Sequence, residues 1–290
     1  MSPSPSLPSP HTRAVGQLIL AALFWSLGGL LVKNVEWPAL AIAGGRGLLA
    51  AAFLFFTHRQ LKFRLSLIPW LAAAAYAGMT LCFVLATKLT TAANAILLQY
   101  TAPIWIALLG TWILGERASR ADWIAIVAVM IGMGIFVADG LKFSSLTGNI
   151  FGVASGFCFA MMTLLLRKDK NGSAAEALIL GNLLAFAIGL PVLIGSPGLS
   201  TEGWISLFLL GTVQLGISYW LYARAIRHVT ALEAVLIPVI EPLLNPLWVL
   251  VIKSEKPSFL AMVGGALVLS AVTLRALHQL RVRGQLASAR

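Results

Sequence analysis

Charge is scarce in this chain. Lys and Arg number 21 and Asp and Glu only 10, so that 11% of its 290 residues are charged, where soluble domains run near a quarter. That excludes a water-soluble globule, which needs polar surface to cover its core. Cysteine is also rare. Cys82 and Cys158 stand singly inside apolar stretches, without CxxC spacing, which excludes a disulfide framework and a thiolate metal site. The four histidines, His11, His58, His228 and His278, fall in a tail, in loops or at a span end. Neither HExxH nor a glycine-rich phosphate loop ending in Lys-Ser or Lys-Thr occurs. Intramembrane catalysis would need nucleophiles, bases or ligands grouped at mid-depth, so the chain is expected not to be an enzyme and to carry no metal or cofactor. An ATP-driven motor within it is excluded on the same ground.

What is abundant is apolar sequence: 59% of residues are hydrophobic. Such a chain must face lipid, where each crossing segment satisfies its own backbone hydrogen bonds as a helix or a closed barrel. Unbroken runs such as 121–138 and 259–274 lack the alternation of barrel strands. A helix needs about 20 residues to cross roughly 30 Å of hydrocarbon. Cutting at charges and turn residues gives ten spans: 14–33, 37–57, 67–87, 92–114, 120–139, 146–166, 174–194, 203–223, 232–252 and 257–277. Residues 1–13 read as a disordered tail, since 1–10 are rich in Ser and Pro without a basic leader. Residues 278–290 read as a basic one.

The net charge of +11 does not indicate nucleic acid, because the basic residues form short clusters between apolar runs rather than one face. Taken by alternate loops, they sort. Arg13, Arg59, Lys62, Arg64, Arg117, Arg120, Arg167, Lys168, Lys170, Arg224, Arg227, Arg275, Arg281, Arg283 and Arg290 lie on one side. Only Lys33, Lys88, Lys142, Lys253 and Lys256 lie on the other. Cytoplasmic loops carry such an excess, so both termini are expected in the cytoplasm.

An offset of 139 residues lays Ala86 on Ala225, Asn94 on Glu233, Pro103 on Pro242, and Gly115-Glu116-Arg117 on Ser254-Glu255-Lys256. Two copies of five spans each must enter the membrane from opposite sides, because five is odd. Inverted repeats rocking about a central site are a transporter arrangement. The expected fold is therefore an all-α polytopic membrane protein with ten transmembrane helices, built as two inverted five-helix repeats, 14–139 and 146–277, around a central cavity.

The segment 86–95 (ATKLTTAANA), followed by Pro103 and Leu114-Gly115-Glu116, and its echo 225–234 (AIRHVTALEA), followed by Glu241-Pro242, resemble the EamA repeat of the drug/metabolite transporter superfamily. The resemblance extends over nearly the whole chain after the tail, Trp25 and Arg46 included. Ser254 departs from the Gly expected before the second Glu. Within the superfamily the pattern is most similar to the YddG group of aromatic amino-acid exporters. The resemblance implies a multi-pass protein of the bacterial inner (plasma) membrane that exports small organic metabolites, aromatic and other amino acids among them. Drugs or other metabolites, with proton coupling, are the alternative. It implies a small-molecule cargo and membrane lipid as partners, no nucleic acid, and a monomer, with a dimer as the alternative.

Charges deep in spans are the first site candidates, since burying one costs roughly 2.5 to 3.5 kcal/mol on insertion scales. Arg46 and Glu241 each lie near mid-membrane. Two readings stand open: a structural ion pair between helices, or separate contacts to the carboxylate and amine of a zwitterionic cargo. Pro103, Pro238, Pro242 and Pro246 interrupt spans and free carbonyls, either for gating or for packing kinks. For an aromatic cargo, ring walls and oriented donors point to Trp25, Tyr76, Gln99, Tyr100 and Gln214. Trp37, Trp70, Trp123 and Trp204 near span ends read as interfacial anchors. Gly148, Gly152 and Gly156 form a close-packing stripe, and Gly44, Gly45 and Gly47 read as room for the Arg46 side chain. A channel fits a proline-broken central helix less well than a gated carrier does. A mere scaffold would need no polar interior.

Overall fold

The computed structural model describes residues 9–58, 61, 66–136, 138, 145–169, 173–244 and 258–288, and these are helical throughout apart from short connections. The first span begins before the expected position 14, because Ser9 caps it, its side chain accepting from the Thr12 amide, and Pro10 occupies the first turn, where a missing N–H costs nothing. Residues 10–13, expected in the disordered tail, are therefore helical. Helices α1 (Pro10–Trp25) and α2 (Gly28–Lys33) form one span interrupted at Ser26 and Leu27. Helices α3 (Ala39–Thr57) and α4 (Leu67–Leu89) follow, and then α5 (Ala92–Gln99) and α6 (Ala102–Leu114), a span broken at Tyr100 and Thr101. Helix α7 (Arg120–Phe136) ends the first half.

The second half opens with α8 (Leu146–Lys168) and α9 (Ala174–Ile194). Its third span starts as α10 (Thr201–Leu209), widens into π-helical turns over Leu210–Ile217, and finishes as α11 (Ser218–Ala225). Next come α12 (Ala231–Leu236), a 3-10 turn over Ile237–Val239 and helical residues 240–244; α13 (Phe259–Ser288) closes the chain. Helix α13 thus continues through most of the expected basic tail. Among the described residues eight helices are long and apolar enough to cross a membrane. Helix α7, at 17 residues, and the broken helix from Ala231, described through residue 244, stand at the places of the other two expected spans. An even number of crossings puts both termini at one end of the bundle, the terminal end below.

The packing repeats when the halves are exchanged. Helix α4 lies along α8 and α9, and the counterpart span, α11 with its π turns, lies along α1 and α3. Helices α5 and α6 pack on α8, as the 3-10 turn packs on α1. Two pairings, α3 with α9 and α7 with α13, map onto themselves, as crossings on a two-fold axis must. Both are made through glycine pairs. A Cβ on Gly44 would come within 3.1 Å of the Gly189 Cα, and one on Gly264 within 2.5 Å of the Gly132 carbonyl oxygen. Without a hydrophobic drive between helices in lipid, such backbone proximity supplies the packing attraction.

Two expectations about small and aromatic residues are revised, and a third is made specific. Gly44, Gly45 and Gly47 do not make room for Arg46; they face Gly189, the Trp37 ring with Leu207, and the Asn182 carbonyl, because α3 is squeezed between neighbouring helices. Trp37 is no lipid-facing anchor: it is buried, donates from Nε1 to the Pro197 carbonyl at 2.7 Å and meets Trp204 edge-on at 5.6 Å. Trp70, Trp123 and Trp204 do stay exposed. The Gly148, Gly152 and Gly156 stripe packs within the chain, against Leu89 and Thr90, Leu98, and Gln99 with Thr101. Pro246, Asn245 and Glu255 lie outside the described residues.

Candidate functional site

Two of the helix interruptions fall at equivalent places in the repeat, since the offset of 139 lays Tyr100 on Val239. Proline explains both. Pro103 has no N–H for the carbonyl of Gln99, and Pro242 has none for the carbonyl of Pro238. The Gln99 carbonyl lies where a Cβ on Gly156 would reach 2.7 Å, so only a glycine lets α8 come this close. The freed Pro238 carbonyl accepts from the Tyr100 hydroxyl at 2.7 Å, and the same hydroxyl lies 2.9 Å from Glu241 Oε2. The two broken helices are thereby joined at their breaks. Tyr100→Phe leaves a buried carbonyl without a donor and is expected to lower stability by about 1–3 kcal/mol, read as a lower midpoint in thermal unfolding of the detergent-solubilised protein; an unchanged midpoint would show the bond contributes nothing.

Beside this junction lies a cavity of about 40 Å³, lined by Trp25, Arg46, Met79, Thr80, Phe83, Gln99, Phe159, Gln214, Leu215, Tyr219 and Glu241. Seven of the ten spans contribute. Arg46 is buried, and its Nη2 donates to the Thr80 carbonyl at 3.3 Å while its Nε has no partner among the described residues. Trp25 Nε1 and Gln214 Oε1 are likewise unpartnered. Gln99 donates to Ser155 Oγ at 2.9 Å, which donates in turn to the Met79 carbonyl. Ion pairs join His11 with Glu233, Arg167 with Glu116, and Arg275 with Asp122, and none joins Arg46 to Glu241. Arg46 and Glu241 therefore do not form the structural ion pair left open by the sequence: Thr80 on α4 holds the guanidinium, and Tyr100 holds the carboxylate.

Of the residues the sequence singles out for cargo, Trp25, Arg46, Gln99, Gln214 and Glu241 line the cavity. Tyr76 and Tyr100 stand behind the wall. Tyr76 donates to Asn182 Oδ1 at 3.1 Å and packs edge-on against Tyr219 at 4.8 Å; Tyr100 positions Glu241. Pro103 and Pro238 sit at the breaks and Pro242 just beyond. The sequence reading missed Met79, Phe83, Phe159 and Leu215, which carry no polar signal; Thr80 and Tyr219, polar groups inside apolar spans, line the cavity beside them. Gln214 is presented by the π turns, whose extra width is typical of functional sites.

Toward the terminal end the cavity is backed by a cluster of rings. Trp25 meets Tyr219, Tyr222 and Phe159 at 5.0, 5.7 and 6.3 Å, and Tyr219 meets Tyr222 at 6.0 Å. Tyr222, fully buried, is tied to Thr163 by a 2.8 Å hydrogen bond.

The sequence profile of the EamA-like transporter family matches residues 12–138 and again 146–276. The chain belongs to this family. EamA-like proteins are transporters of the drug/metabolite superfamily and not enzymes, which makes this a multi-pass membrane transporter with a small-molecule substrate. Similar proteins include an uncharacterized transporter of Archaeoglobus fulgidus, 27% identical over 90% of this chain and 96% of its own. The pseudopaline exporter of Pseudomonas aeruginosa is 24% identical over 87% of this chain and 92% of its own. A crystal structure at 20% identity shares the fold with a TM-score of 0.81, covering 93% of this chain and 99% of that one.

Proposed function

We propose that this EamA-like protein exports small zwitterionic organic metabolites, aromatic amino acids first among them, by alternating access through the central cavity. The observation that carries the reading is a buried Arg46 whose Nε has no partner among the described residues, facing the same cavity as Glu241 with no ion pair between them. A guanidinium suits a carboxylate, and a carboxylate suits an ammonium. Trp25, Phe159 and Tyr219 offer ring faces and edges to an aromatic side chain. At about 40 Å³ the cavity has room for only two or three waters, so loading requires opening, as alternating access demands. Export agrees with the name of the Pseudomonas relative. Amino-acid cargo rests on the site chemistry and on likeness to aromatic amino-acid exporters. The basic terminal end is read as cytoplasmic in a bacterial inner membrane, and the chain as a monomer.

Movement is read as facilitated, with no coupled ion. The test is counterflow of labelled tryptophan, phenylalanine and a non-aromatic amino acid in liposomes containing the purified chain, without proton or sodium gradients. Exchange of the aromatic pair is the expected result. No exchange of any would overturn the amino-acid reading in favour of other metabolites or drugs. Uphill accumulation that follows a proton gradient and disappears in Glu241→Gln would overturn the facilitated mechanism.

A further inference from the structure

We infer that Glu116 is the latch that holds the terminal end of the transport path shut, and that its release opens the cavity to that end. The inference concerns the transport cycle and does not depend on which cargo is carried. Glu116 follows Gly115, whose positive φ of 75° ends α6. The amide of Gly115 returns to the Thr111 carbonyl and that of Glu116 to the Gly110 carbonyl, at 3.1 and 3.2 Å. This glycine-ended helix cap fixes where the carboxylate leaves the first half. It crosses to the second half. Oε1 accepts from Arg167 Nε at 3.1 Å and Nη2 at 2.6 Å, and Oε2 accepts from the Ala231 amide at 3.0 Å, at the first turn of α12. Arg167 Nη1 donates onward to the carbonyls of Ile226, at 2.9 Å, and Val229.

Four spans are therefore clasped at one end, and each carries part of the cavity wall. The α5–α6 span bears Gln99, α8 bears Phe159, the π turns and α11 bear Gln214, Leu215 and Tyr219, and the span begun by α12 bears Glu241. The cavity cannot open between these spans at the terminal end while one carboxylate and one guanidinium bind all of them. Charge-assisted bonds are roughly twice as strong as neutral ones, yet Glu116 and Arg167 keep 31% and 21% of their side-chain surface exposed. Water is thus at hand to take over their hydrogen bonds when the clasp parts. A wholly buried pair would lack that route and would resist opening.

The test places a cysteine at Leu215 in a chain whose Cys82 and Cys158 are replaced by Ala, in proteoliposomes of known orientation. The readout is the rate of labelling by a membrane-impermeant thiol reagent added at the terminal face or at the opposite face. Glu116→Gln is expected to raise labelling from the terminal face at least fivefold and to lower it from the other. Ala231→Pro is the second variant. It removes the one amide that Oε2 accepts, at a helix position where proline is favoured and after a Thr230 whose extended backbone suits a following proline. The same shift, smaller, is expected. Unchanged labelling from both faces in either variant that still elutes as a folded monodisperse species would overturn the proposal, as would an equal rise from both faces, which signals general loosening.

Discussion

Arg46→Gln is expected to lower tryptophan counterflow about a hundredfold while leaving the protein folded. Wild-type Arg46 is buried and makes one long bond to the Thr80 carbonyl, with its Nε unpartnered. In the proposed site a cargo carboxylate completes it. A hydrogen bond to a charged group contributes about 1.5–3 kcal/mol, so losing two costs about two decades even at the low end, at roughly 1.4 kcal/mol per decade. Glutamine reaches less far and carries no charge, yet it remains polar enough to sit against the Thr80 carbonyl without a strained void. Arg46→Lys keeps the charge and loses the planar fork, so an intermediate rate is expected. Counterflow of Arg46→Gln at the wild-type rate would remove Arg46 from the cargo site. Loss of folded protein in both variants would make its role structural.

The second large effect lies at the two-fold axis. Gly264→Val is expected to destabilise the fold by about 3 kcal/mol or more, the upper end for overpacking. A Cβ there would lie 2.6 Å from the Phe136 Cα and 2.5 Å from the Gly132 carbonyl oxygen, both backbone atoms that no side-chain rotation can move. Gly189→Val is expected to act likewise at the other self-paired crossing, where a Cβ would lie 2.9 Å from the Gly44 Cα. Gly16→Ala and Gly134→Ala are the controls, since nothing stands within 4 Å of a Cβ at either. Yield of monodisperse protein and its thermal midpoint should fall for the axis variants and hold for the controls. Equal behaviour in all four would dissolve the claim that the halves meet through these glycines.

Several of these features were legible in the chain itself. Arg46 and Glu241 stood out because a charge deep in an apolar run has no cheap explanation. Pro103 and Pro242 stood out because they recur at the repeat offset. Their meaning, two breaks stitched by Tyr100, was not legible, since it depends on which carbonyl of one helix faces which hydroxyl of another. Phe159 and Leu215 were invisible for a different reason. In a bilayer the inside and the outside of a helix bundle are alike apolar, so the amphipathic stripe that marks a soluble core is weak, and a cavity-lining Phe reads the same as a lipid-facing one. Trp37 was misplaced on that account: a tryptophan at a span end suits the interface as well as a buried contact with Pro197.

The sequence by itself determined that this protein crosses a membrane as helices, roughly where each crossing lies, and that two halves repeat with opposite orientation. Those properties follow from run length, charge and spacing, which are local along the chain. The tertiary structure alone decided which face of each helix turns inward, that Arg46 and Glu241 share a cavity without pairing, and that Glu116 reaches Arg167 and Ala231 across the halves. Such choices depend on contacts between residues far apart in sequence, where glycine permits backbone approach and a missing proline N–H frees a carbonyl for a distant donor.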